Sequence, residues 1–175
     1  MEKLRGPPFT IWLSGLPCSG KTSIAEKLES KLKEMNYLVA RLDGDDTRKG
    51  LNSDLAFSPE DRKENLRRVA HVADLFNKKG IFVLASFIAP MEENREMIKS
   101  IVGNFNLVFV KCRIEECVRR DVKGMYALAK SGELRGFTGI SAPYEEPENA
   151  DLVLDTENLD IDSCVSKIID EFFNE

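Results

Sequence analysis

The chain has 175 residues, 42% of them hydrophobic and 31% charged, with 25 basic against 30 acidic side chains and a formal net charge of −5. That balance fits an ordinary globular protein, one domain over residues 1–175 with a proper core. The acidic excess argues against a nucleic-acid coat or a membrane-surface binder, because phosphate-rich surfaces would repel it on average.

Residues 1–8 are charged and proline-capped, and the apolar run after them is too short to span a bilayer, so no signal peptide or anchor is expected and the expected compartment is the cytoplasm. Residues 9–14 read as a buried first strand, and 20–36 as a helix with Ile24, Leu28, Leu32 and Met35 at helical spacing. A second strand covers 37–43. Ser58, Pro59, Glu60 and Asp61 form a helix start, with the cap, the first-turn proline and the acids each in place. The stripe Leu66, Val69, Ala70, Ala73 and Phe76 continues that helix to near Gly80.

Residues 81–86 form a third strand, apolar throughout as a sheet buried on both faces requires. A helix at 92–102, a strand at 107–111 and a helix at 114–121 follow, and the chain closes with a strand at 152–154 and a helix at 160–173. The alternation predicts an α/β fold of three layers, a parallel five-stranded sheet with helices on both faces. Residues 123–149, rich in Gly, Lys, Pro and Glu with few core positions, do not fit it and are expected to be a mobile lid or a disordered loop.

Gly15, Leu16, Pro17, Cys18, Ser19, Gly20, Lys21 and Thr22 match G-x-x-x-x-G-K-[ST] at every position, between an apolar strand and a helix. Such a loop turns successive N–H groups onto phosphate oxygens, helped by the helix N-terminus. Lys21 would bridge the β- and γ-phosphates of ATP, and the Thr22 hydroxyl would ligate Mg²⁺. The bland alternative is a glycine-rich turn that binds nothing. Cys18 lies inside the motif, where a helix N-terminus would lower its pKa and expose it to oxidation. The other cysteines, Cys112, Cys117 and Cys164, read as reduced thiols used as small hydrophobes.

Asp43, Asp45 and Asp46 close the second strand, at the sheet edge where ligands of parallel sheets bind. A carboxylate there can hold Mg²⁺ through water or take a proton from an attacking hydroxyl, or it can merely cap the next helix. Arg62 and Asn65 share a helix face, and Arg48 adds a further anion donor. Phe57 precedes the helix cap, but its usual apolar partner is replaced by Arg62, so its ring is available to stack on a base. The alternative buries Phe57 elsewhere and leaves Arg62 in solvent. Arg119 and Arg120 can add charge on closure or stay solvated. His71, the only histidine, lacks a ligand neighbour and reads as structural.

Taken together, Gly15 to Thr22, Leu42-Asp-Gly-Asp45, Arg48-Lys-Gly-Leu-Asn52, Phe57-Ser-Pro-Glu-Asp-Arg62-Lys-Glu-Asn65, Asp121-Val-Lys-Gly124 and Gly136-Phe-Thr-Gly-Ile140 resemble adenylylsulfate kinase over residues 9–154. The resemblance implies a P-loop kinase that binds ATP and Mg²⁺ at the first loop. It implies adenylylsulfate clamped between Phe57 and Phe137, its phosphosulfate and base held by Arg48, Arg62 and Asn65. Asp45, Ile88, Lys123 and Gly136 would line the site, Asp43 would orient or deprotonate the ribose 3′-hydroxyl, and the product would be 3′-phosphoadenylylsulfate. A homodimer is implied as well. One departure is Ala89, where the family usually has a serine proposed as a phosphorylated intermediate; no covalent route can pass through alanine. Rival readings are another small-molecule P-loop kinase or a non-catalytic nucleotide-sensing module, while the missing Asn-Lys-x-Asp motif argues against a switch GTPase.

Overall fold

A computed structural model describes residues 6–174. Five strands, β1 (Thr10–Ser14), β2 (Val39–Asp43), β3 (Phe82–Ser86), β4 (Phe105–Lys111) and β5 (Leu152–Asp155), form one parallel sheet in the order β2-β3-β1-β4-β5. Parallel neighbours require crossovers, and the long helices α1 (Lys21–Glu34), α3 (Pro59–Lys78), α4 (Glu92–Ile101) and α7 (Ile161–Phe172) serve there or close the chain. Side chains alternate across the sheet, so each face builds its own core. Ile11, Leu13, Leu84 and Val110 pack with Leu28 of α1 and Ile168 of α7. Trp12, Val83 and Ala85 pack on the other face with Val69 of α3 and Ile98 of α4. The predicted three layers are present.

Three short helices complete the chain: α2 (Gly44–Lys49), α5 (Ile114–Arg119) and α6 (Met125–Lys130). Of these, α2 and α6 were not expected from the sequence. Asp-Gly after a strand reads as a turn, yet Asp43 caps a helix there, its side chain accepting from the Asp45 N–H at 2.9 Å. Residues 123–149 have few core positions, as expected, but those few are used. Tyr126 is fully buried and, with Ala129, Phe137, Cys112 and Cys117, makes a third apolar cluster against Leu16 and Cys18. The segment therefore packs onto the first loop.

Ser58 caps α3 as expected, its Oγ accepting from the Asp61 N–H at 3.0 Å. Because α3 carries Arg62 and Asn65 in its first two turns, this cap also sets where those side chains start. Ser58→Ala is expected to cost about 1 kcal/mol. Thermal unfolding followed by circular dichroism should show a midpoint lowered by about 2–4 °C; an unchanged midpoint would remove the cap from the account.

Candidate active site

β1 ends at Ser14, and the chain turns at Gly15, where a Cβ would meet the Val110 carbonyl oxygen at 2.4 Å and Ser19 Oγ at 2.8 Å. Only glycine fits so close to β4. Cys18 and Gly20 then take left-handed backbone, with φ of 63° and 105°. Gly20 precedes α1 and supplies no side-chain cap. The first N–H groups of a fourteen-residue helix are thus left for an anion.

Lys21 lies folded into this loop, its Nζ donating to the carbonyls of Gly15 at 2.9 Å and Leu16 at 2.6 Å. Burial pulls its pKa down to about 8 from the ordinary 10.5, against the opposing pull of Cys117, Cys18, Asp43 and Cys112. Thr22, the next residue, donates from Oγ1 to Asp43 Oδ2 at 2.9 Å. Asp43 therefore caps α2 with one oxygen, as one of its two readings allowed, and accepts from Thr22 with the other. Ser86 pairs in register with Asp43 on the neighbouring strand; its hydroxyl is buried with no partner among the described residues.

Beyond Asp43 the side chains are basic and aromatic. Phe57 is 61% exposed, and the Arg48 guanidinium sits over its ring, Cζ 4.3 Å from the centroid, with Arg62 at 5.9 Å. The alternative that Phe57 is buried does not hold. Arg62 acts as a clasp: Nε donates to the Phe57 carbonyl at 3.0 Å, Nη2 to the Gly136 carbonyl at 2.6 Å and Nη1 to Thr138 Oγ1 at 3.0 Å. Burial, then the Arg48 charge, lower its pKa. Among the described residues neither Arg48 nor Arg62 has a carboxylate partner, whereas Arg67, Arg68, Arg113, Arg119 and Arg120 all do. Two guanidinium groups without a carboxylate partner beside one exposed ring make a basic corner that can accept an anion.

Lys123 pairs with Asp45 across the mouth of this corner. The Asp121-Val-Lys-Gly124 turn places it: the Asp121 carboxylate accepts from the N–H groups of Met125 at 2.9 Å and Tyr126 at 2.8 Å. Tyr126 in turn donates to the Pro17 carbonyl at 3.0 Å. Phe137 is buried, its ring edge-on to Tyr126 at 4.9 Å. The structure thus brings Gly136 and Phe57 together through Arg62, but it holds the Phe137 ring in the third apolar cluster rather than facing Phe57. The Ile88 carbonyl accepts from Ser14 Oγ, tying this residue to the end of β1. Ala89 follows in left-handed backbone, φ 43°, its carbonyl held by Arg95 Nη1 at 2.9 Å. Asn65 is buried and accepts from Asn52 Nδ2 at 2.9 Å.

Several expectations change. Arg119 and Arg120 are not spare charge, since both pair with Glu116 and Arg120 also donates to the Thr156 carbonyl at 2.7 Å. Burial, then the Asp121 charge, raise the Cys18 pKa, the reverse of the lowering expected from the helix N-terminus. His71 is exposed on α3. Among the described residues no group of His, Cys, Asp and Glu could hold a metal by itself. No helix there is long and apolar enough to cross a membrane. Sequence reasoning missed Tyr126 and assigned no role to Asn52 or Thr138, which it named only as members of matched motifs.

The buried lysine makes a pH prediction. Below about pH 8 Lys21 is protonated folded or unfolded, and its burial penalty is fully present. As pH rises from about 8 toward 10.5 the folded chain sheds the proton first and the penalty fades. Lys21→Met should therefore stabilise the ligand-free protein near neutral pH and lose that advantage by pH 10. Denaturant titrations of both proteins across this range test it; a constant difference would contradict it.

Comparison with known proteins shows the family. The family model for adenylylsulphate kinase matches residues 7–155. The probable adenylyl-sulfate kinase of Bacillus subtilis (strain 168) is 48% identical over 171 residues, spanning 97% of this chain and 87% of that one. The Mycobacterium tuberculosis APS kinase, solved in complex with AMPPNP and APS, superposes with a TM-score of 0.93 at 42% identity, covering 96% of this chain and 99% of that one. A hexameric APS kinase from Thiobacillus denitrificans gives 0.73 at 28% identity, over 96% of this chain and 29% of that longer one. Sequence and fold agree, and the chain belongs to the adenylylsulphate kinase family.

Proposed function

We propose that the chain transfers the γ-phosphate of ATP to the ribose 3′-hydroxyl of adenylylsulfate, giving 3′-phosphoadenylylsulfate and ADP. The observation that carries this reading is the Thr22–Asp43 contact, which joins a phosphate loop to an anion corner lined by Arg48, Arg62 and Phe57. One reacting group would lie on each side of it.

ATP would enter along the loop 15–22, and Lys21 would leave the Gly15 and Leu16 carbonyls for the β- and γ-phosphates. The oxygen donors Thr22, Asp43 and the unpartnered Ser86 hydroxyl suit Mg²⁺, shared with phosphates and water. When bound, the ion neutralises charge on the β- and γ-phosphate oxygens. Asp43 orients the 3′-hydroxyl and takes its proton as the new oxygen–phosphorus bond forms and the bond to ADP breaks. Ala89 offers no hydroxyl, so transfer is direct and in line, relying on positioning and charge stabilisation.

On the acceptor side, Arg48 and Arg62 take the phosphosulfate, with Asn65 beside them. Arg48 would give up its place on Phe57 to the adenine. Phe137 would turn off Tyr126 to cover the other face of the base, with residues 123–149 moving as a lid and Asp45, Ile88, Lys123 and Gly136 lining the closed site. Water exclusion on closure would suppress ATP hydrolysis. The same reading takes the protein as a cytoplasmic homodimer, self-association being supported by the hexameric relative.

Incubation with ATP, Mg²⁺ and adenylylsulfate, followed by nucleotide separation, should give ADP and 3′-phosphoadenylylsulfate in equal amounts. ADP without the second product would overturn the assignment. Lys21→Ala should abolish transfer. Phe137→Ala should raise the adenylylsulfate KM roughly tenfold, the worth of one base–aromatic stack, with kcat changed far less. A normal KM in that variant would remove Phe137 from the clamp.

A further inference from the structure

Asn52 lies in the turn after α2 and is fully buried. Its main chain is tied down on both sides, the N–H donating to the Thr47 carbonyl at 2.9 Å and the carbonyl accepting from Leu55 at 3.2 Å. Its side chain makes one bond, Nδ2 to Asn65 Oδ1 at 2.9 Å, and leaves Oδ1 sealed with no partner. A buried amide oxygen without a donor costs about 1–3 kcal/mol. A purely structural turn residue would avoid that penalty, so the bond to Asn65 is what the side chain is there to make.

That bond fixes which end of Asn65 faces outward. With Oδ1 claimed by Asn52, the Asn65 Nδ2 group is turned away from the turn. It makes no hydrogen bond among the described residues and is not one of the sealed polar atoms, so it keeps contact with solvent. Asn65 stands one turn after Arg62 on the same face of α3. Turning Asn65 alone would set two NH₂ groups against each other. Turning both amides would leave neither N–H of Asn52 partnered and aim an oxygen outward. The pair therefore presents a donor, on the helix face that carries an arginine with no carboxylate partner.

We infer that Asn52 is a positioning residue for acceptor binding: it holds the Asn65 amide so that Nδ2 donates to an oxygen of the phosphosulfate group. The inference rests on the acceptor reading above. An Asn65 free to rotate would spend part of its time with its oxygen toward the anion, which weakens binding without touching the phosphate loop.

A double-mutant cycle on the full chain tests this, with Asn52→Leu, Asn65→Leu and the double variant assayed for adenylylsulfate KM, ATP KM and kcat. Each single change should raise the adenylylsulfate KM roughly tenfold, as loss of one hydrogen bond to a charged group does, with kcat and the ATP KM held within about twofold. The double variant should be no worse than Asn65→Leu alone, because Asn52 acts only through Asn65. Additive effects, or an unchanged KM in Asn52→Leu beside a raised one in Asn65→Leu, would overturn the inference and leave the proposed function standing. An unchanged KM in Asn65→Leu, in a protein that still turns over adenylylsulfate, would remove Asn65 from the acceptor site and the inference with it. Asn52→Ser keeps a polar group in the turn but is too short to reach Asn65; it should give the same KM rise, and it replaces the leucine variant if that one does not melt like wild type.

Discussion

The hydrogen bond from Thr22 to Asp43 holds together two parts of the molecule that the sheet keeps apart. β1 and β2 are not neighbours; β3 runs between them. Thr22, at the start of α1, and Asp43, at the end of β2, meet at 2.9 Å. The first loop and Lys21 lie on the Thr22 side, and α2 with Arg48 lies on the Asp43 side. A carboxylate at this point touches the loop hydroxyl and also caps the helix that carries Asp45 and Arg48, so one residue aligns both halves.

Charge is distributed along the same division. Lys21 is turned inward onto loop carbonyls, which satisfies its ammonium group in the absence of phosphate at the expense of desolvating it. Arg48 and Arg62 lean on an aromatic ring and on carbonyl oxygens instead of carboxylates. These are neutral partners that an anion can outcompete, because an anion adds the attraction of opposite charges to the hydrogen bond and can engage a guanidinium at two points. The basic groups at the site are thus held in position without being neutralised, while Arg67, Arg68, Arg113, Arg119 and Arg120 pair with carboxylates.

The five strands and the long helices were legible because each carries a periodic apolar pattern, and the first loop because its glycines have a steric reason to be where they are. Phe57 was legible through an absence, the missing apolar partner at Arg62. Helix α6 was not, since six residues give fewer than two turns and its single informative side chain, Tyr126, reads as an ordinary aromatic. The burial of Phe137 escaped for the same reason: its partner Tyr126 lies eleven positions earlier on an element the sequence did not announce. Cys18 was misjudged because the helix N-terminus was weighed without the burial and the Asp121 charge that oppose it. Asn52 could not be singled out, for its importance lies in which end of another amide it claims.

The account stands most directly on a crystal structure of the protein with a non-hydrolysable ATP analogue and adenylylsulfate bound together. It predicts Lys21 Nζ moved from the Gly15 and Leu16 carbonyls to phosphate oxygens, and the ribose 3′-hydroxyl within hydrogen-bonding distance of Asp43. A complex in which Lys21 stays on those carbonyls, or in which the 3′-hydroxyl points away from Asp43, would contradict it.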